Sequence, residues 1–111
     1  MDDMVRLSLL FDFYGELLKP AQKDIFNSFV FDDLSLSEIA DEQGISRQAV
    51  HEKVKRCIVT LEDYEKRLGL IARYNEACSK ADTLKELIGA LDIPEGDLER
   101  INRLIEDIVE V

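Results

Sequence analysis

Apolar residues recur every three or four positions along most of this chain, and no stretch alternates as a strand would. Leu7, Leu10, Phe11, Tyr14 and Leu18 share one stripe, which predicts a helix over residues 3 to 18. Phe13 falls off that stripe and is left to pack on another segment or a partner. Pro20 suits the first turn of a second helix, where its missing N–H does no harm. Ile25, Phe26, Phe29 and Val30 carry that helix to about Phe31. Most of the aromatic side chains precede Asp32, and their spacing assigns them to a core.

From Leu34 to Leu61 the pattern predicts two helices joined by a tight turn. Ser35 is placed to cap the first, and Glu38, three residues on, to close a capping box; Leu34 and Ile39 then occupy the staple positions. This helix spans Leu36 to Gln43. Gly44 ends it, because a residue just past a helix end often needs a positive φ. Ile45 returns to the core, and Ser46 caps a second helix that begins at Arg47. Ala40, Gly44 and Val50 supply the small residue, the reversal and the packing residue of a helix-turn-helix. Val50, Val54, Ile58 and Leu61 form the buried stripe of the second helix.

After Leu61 the periodicity continues. Leu61, Tyr64, Leu68, Ile71, Asn75 and Cys78 alternate spacings of three and four, a coiled-coil-like seam with one polar position. Gly69 weakens a helix by about 1 kcal/mol but does not have to end it. A boundary is expected near Ser79 to Thr83, with Asp82 or Thr83 capping the next helix. Residues 84–91 are helical, residues 92–97 make a Pro- and Gly-containing turn, and Leu98, Ile101, Leu104, Ile105 and Ile108 mark a last amphipathic helix.

The second helix of the pair also carries the chemistry. Arg47, His51 and Lys55 share a face, with Gln48 and Glu52 beside them and Arg56 near the end. A recognition helix turns such a face to the major groove, its N-terminal residues nearest the bases. Ser37 and Ser46, at helix N-termini, are further candidates to contact phosphate.

Charge sharpens this picture. The chain has 111 residues, 24 acids and 14 bases, for a net charge of −10. Such a molecule is repelled overall by nucleic acid and by anionic membranes. Residues 1–34 carry −4, residues 35–67 carry −1 and residues 68–111 carry −5. Within residues 46–57, however, Arg47, Lys53, Lys55 and Arg56 face only Glu52, giving +3. The locally positive helix is the one a groove-binding arrangement would use. A solvated face with a few surface ion pairs is the plainer reading of the same four bases.

Composition bounds the rest. The length fits one domain, or one domain with a helical appendage, and 46% apolar residues fit a folded chain. Cys57 and Cys78 have no metal-ligand spacing, which suits a reducing, cytoplasmic setting. No apolar run approaches the roughly 20 residues of a membrane span, and the acidic N-terminus is unlike a signal peptide. His51 is the only histidine, and no Gly-rich phosphate loop or nucleophile elbow is present. Neither catalysis nor a cofactor nor a metal is expected.

The run SLSEIADEQGISRQAVHEKVKR, with LLFDFYGELL before it and LEDYEKRL after it, resembles the YlxM-type helix-turn-helix proteins of bacteria over residues 4 to 74. More loosely, it is similar to the DNA-reading region at the C-terminal end of sigma factors. The resemblance implies an all-α fold with a helix-turn-helix core, winged-helix-like but without a wing, and a C-terminal helical extension. It implies a small cytoplasmic protein tied to the signal recognition particle pathway, since genes of that family lie beside those for the particle's GTPase or its receptor.

The expected organisation is a helix-turn-helix domain over residues 1–67 and an extension over residues 68–111. The extension either folds back on the protein's own core or associates with another chain. In the second case Leu61, Tyr64, Leu68, Ile71 and Cys78 would form the seam of a homodimer. Two functions are expected. The first is a DNA-binding regulator contacting nucleic acid through Ser37, Ser46, Arg47, Gln48, His51, Lys55 and Arg56. The second is a non-enzymatic adaptor for a protein or RNA component of the signal recognition particle pathway.

Overall fold

The periodic apolar positions become helices throughout. A computed structural model describes residues 4–110. Its elements, in order, are α1 (Met4–Tyr14), a 3-10 turn (Gly15–Leu17), α2 (Pro20–Val30), α3 (Leu36–Gln43), α4 (Arg47–Leu68), α5 (Leu70–Gly89) and α6 (Glu95–Val109). The fold is all-α with a helix-turn-helix at α3–α4. The expected helix start at residue 3 and the end of the extension at residue 111 lie outside the described residues. The chain divides into two units, the first ending at Ile71 and the second beginning at Ala72.

In the first unit α4 is the strut. Its 22 residues span about 33 Å at 1.5 Å per residue. Near its start, Val50 and Val54 are buried with Ile25 of α2 and with Ile39 and Ala40 of α3. Further along, Cys57 and Leu61 are buried with Leu7, Leu10 and Tyr14 of α1, and with Leu18, Phe26 and Ile71. One stripe on one helix thus joins two apolar clusters. Phe11 stacks on Phe26 at 5.7 Å between ring centroids and meets Phe31 edge-on at 5.3 Å. Phe13 packs against the same cluster beside Tyr14. Arg6 of α1 forks onto Glu62 of α4 through two bonds of 3.0 Å, the planar geometry that makes Arg–carboxylate pairs directional.

Three breaks fall differently from the sequence pattern. The first helix ends at Tyr14 and gives way to the 3-10 turn. There a Cβ on Gly15 would stand 3.0 Å from the Phe11 ring, so glycine permits the close approach. Gly69 does end a helix: it takes φ 65°, in the left-handed region, and caps α4 by returning its N–H to the Glu65 carbonyl. No helix ends near Ser79 to Thr83. α5 runs through that stretch, and the Thr83 hydroxyl donates to the Ser79 carbonyl one turn back instead of capping a new start.

The joint after Gly69 is pinned by side chains. The Leu70 N–H donates to the Tyr14 hydroxyl at 3.1 Å, and the Ile71 N–H donates to Glu65 Oε1 at 2.9 Å. The Tyr14 hydroxyl itself donates to the same Glu65 oxygen. Two N–H groups that a helix start leaves without intrahelical partners are satisfied by α1 and α4.

The second unit is a hairpin of α5 and α6. Ala81 and Ile105 are buried in it, and Lys85 is bridged to Glu106 at 3.1 Å. Pro94 precedes α6, whose first turn holds Glu95 and Asp97, the sign of charge that a helix N-terminus favours. Among the described residues, no helix is long and apolar enough to cross a membrane.

Candidate nucleic-acid interface

The helix-turn-helix is built from local bonds before any long-range packing. Ser35 Oγ accepts from the Glu38 N–H, and Glu38 Oε1 accepts from the Ser35 N–H, both at 3.1 Å. That reciprocal box starts α3. Gly44 ends it at φ 67°, and the N–H groups of Gly44 and Ile45 both return to the Ala40 carbonyl. Ser46 Oγ accepts from the Ala49 N–H at 3.0 Å and opens α4. Ile45, between the two caps, packs onto the Ile39–Val50–Val54 cluster. The turn therefore has an anchor at each end and one in the middle. It fixes the direction in which the first turn of α4 leaves the core.

That direction exposes Arg47 and Gln48 and leaves His51 half-buried. The three line one open depression of about 550 Å³ together with Leu36 and Glu52. Lys55 and Arg56 do not share it. They line a second depression of about 380 Å³ with Gln22, Val59 and Thr60, and Glu52 borders both. The candidate contact residues thus separate into a group at the helix start and a basic group further along. One carboxylate stands between them.

Arg47, Lys53, Lys55 and Arg56 take part in none of the ion pairs found among the described residues. Those pairs employ Arg6, Lys23, Arg67, Lys80 and Lys85. These four bases in the first half of α4 thus make no ion pair among the described residues, whereas Arg67 near its end is bridged to Asp63. Ser37 is exposed on α3, one residue past Leu36. Ser46 is exposed too, but its oxygen is engaged as a cap. Its hydroxyl proton is still free to donate.

One contributor escaped the sequence reading, and the place of another needed the structure. Leu36 is the first residue of α3 and belongs to no stripe, so only the fold brings it beside Gln48. Glu52 was legible as a neighbour of the basic face, but its place between two depressions needed the structure. Among the described residues, no three His, Cys, Asp or Glu side chains gather as a metal ion would require.

Three of the five seam residues pack within the first unit. Leu61 and Ile71 are fully buried in the α1–α2–α4 cluster, and Tyr64 packs against it 6.0 Å from the Tyr14 ring. Leu68 is 51% exposed, and Cys78 is half-buried on α5. The helix break at Gly69 divides the five between two helices, so they do not form one continuous stripe.

Comparison with known proteins agrees with this architecture. The family described as "Putative helix-turn-helix protein, YlxM / p13 like" matches residues 1–101. A UPF0122 protein of Symbiobacterium thermophilum is 43% identical over 93 residues, covering 84% of this chain and 87% of that protein. One from Exiguobacterium sibiricum is 47% identical over 87 residues, covering 78% and 82%. One from Thermoanaerobacter sp. (strain X514) is 41% identical over 107 residues, covering 96% and 91%.

Proposed function

Because this chain belongs to the YlxM / p13-like helix-turn-helix family, we propose that it is a DNA-binding regulatory protein that reads the major groove through the start of α4. Arg47, Gln48, His51 and Lys55 contact base edges. Arg56, with Ser37 and Ser46 at the helix starts, holds phosphates. The observation that carries this reading is the unpaired charge in the first half of α4. Arg47, Lys53, Lys55 and Arg56 stand near the start of the helix that the turn aims outward, and among the described residues none of these four is bridged to a carboxylate. Phosphate neutralisation by such bases supplies most non-specific affinity. The small number of bases suits a pair of copies better than one, since a two-fold dimer presents two recognition helices to half-sites about 34 Å apart. A cytoplasmic, non-enzymatic protein acting on expression of targeting components is the corresponding cellular role.

The test is a salt series of binding to random duplex DNA, with the unmutated chain and with Arg47→Ala/Lys55→Ala. Binding that falls steeply with salt and is lost in the double mutant supports the reading. Absence of binding at low salt removes it.

The net charge of −10 favours a second reading. An acidic surface flanking the motif suits a basic partner, here a component of the signal recognition particle pathway. Pull-down from extract that recovers neither the targeting GTPase, its receptor nor the particle RNA would eliminate this alternative.

A further inference from the structure

We propose that the apolar face of the α5–α6 hairpin is where a second copy of this chain docks, the two hairpins closing into a four-helix bundle. Leu84, Leu87 and Leu91 of this hairpin are 45%, 62% and 62% exposed, and Leu104 and Ile108 are 55% and 80% exposed. Leu84 and Ile108 meet at one apolar depression of about 260 Å³, floored by Ala81 and Ile105. Leu84 also borders a neighbouring hollow with Leu87, whose other side is polar and holds the Glu76–Lys80 pair, so the leucines continue the face along α5 beside a charged rim. Within the unit, only Ala81 and Ile105 are buried among its described apolar side chains. Two helices with so small a core are marginal in water unless a further surface covers them.

Charge and area select the occupant. Among the residues lining the depression only Lys80 is charged, and its ammonium is 3.1 Å from Glu76 Oε1. A basic amphipathic helix would bring like charge to that lysine, and an acidic one would have to break its bridge. An identical apolar face asks for neither. Complete burial of five side chains, each roughly half exposed or more, on both copies removes on the order of 1,000 Å² from water, the lower bound of a specific interface. A face that pairs with itself about a two-fold axis is the commonest way such an area is met, and antiparallel hairpins combine readily into four-helix bundles. This surface is separate from Leu61 and Ile71, which are buried in the first unit's core.

Sedimentation equilibrium of the full chain, without nucleic acid, tests the proposal independently of DNA binding. The expected result is a species of twice 12.7 kDa at high micromolar concentration. Leu87→Glu/Ile108→Glu should sediment at the single-chain mass with unchanged far-UV helicity, and Val59→Glu, on an exposed position of α4, should remain paired. In the unmutated chain, amide resonances that shift on dilution should map to 84–91 and 104–108. A single-chain mass for the unmutated protein overturns the proposal. So does a pair that survives the double substitution, or dilution shifts confined to the first unit.

Discussion

Glu52 is the residue on which the interface is most finely balanced. It borders both depressions, between the Arg47 group and the Lys55–Arg56 group. On a phosphate-binding surface a carboxylate there opposes the neighbouring bases. Against a cytosine it would accept from the exocyclic amine. The two roles separate by experiment. Glu52→Gln should tighten binding to random duplex several-fold while reducing discrimination among sequences, read by titration of fluorescent duplexes at fixed salt. Arg47→Ala should weaken binding instead, costing about 1–3 kcal/mol at a specific site and relaxing discrimination there if the guanidinium forks onto a guanine. Equal affinity of Arg47→Ala and the unmutated chain would count against groove reading by α4. Gly44 poses a cleaner question. A Cβ added there meets nothing within 4 Å, so the cost of Gly44→Ala comes from φ 67° alone. A loss of about 1–2 kcal/mol in urea unfolding is expected, and an unchanged midpoint would mean that the turn relaxes freely.

At the scale of elements, local rules were legible and long-range bonds were not. The capping box at Ser35, the left-handed Gly44 and the cap at Ser46 each come from a few adjacent residues, and the structure places them as the pattern predicts. Gly69 was harder, because continued apolar spacing beyond it read as one helix. Gly69 ends α4 by a local left-handed cap, but what receives the chain beyond it is tertiary: Tyr14, 56 positions from Leu70, accepts the Leu70 N–H and so offers the next helix a start. No periodicity reports such a contact. In the same way the stripe from Leu61 to Ile71 was legible as apolar, but whether it faces its own chain or another depends on α1 lying against it.

The joint also makes a pH prediction. Burial, then the bond to Glu65, raises the Tyr14 phenol above its ordinary value of 10.0, and burial raises the Cys57 thiol above 9.0. Both hold their protons more tightly folded than unfolded. Their contribution to stability is therefore complete below those ordinary values and is lost as pH rises through the raised ones. Urea midpoints should decline from about pH 9 upward. Tyr14→Phe should be less stable near neutrality, by about 1–3 kcal/mol for the stranded Leu70 N–H, yet decline less steeply above pH 10.

At the scale of the whole molecule, a net charge of −10 and a helix segment of +3 act on the same equilibrium. The excess of acid repels a polyanion at long range, while the bases of α4 attract it at contact. Salt screens the first over about 10 Å at 0.1 M, but it weakens the second through counterion competition at each neutralised phosphate. The slope of log affinity against log salt therefore reports how many bases engage. On random duplex, where Arg47 and Lys55 as well as Arg56 settle on phosphates, one copy should give a slope of about −3 and a pair using both recognition helices about −6. Leu87→Glu/Ile108→Glu touches no base on α4, so if pairing runs through the hairpin it should halve the slope rather than abolish binding. A slope that stays near −6 in that variant would mean that two copies still engage the duplex without the hairpin face, and would separate DNA binding from pairing through that face. A slope near −3 in the unmutated chain, alongside a paired mass in sedimentation, would mean that the dimer presents only one recognition helix at a time.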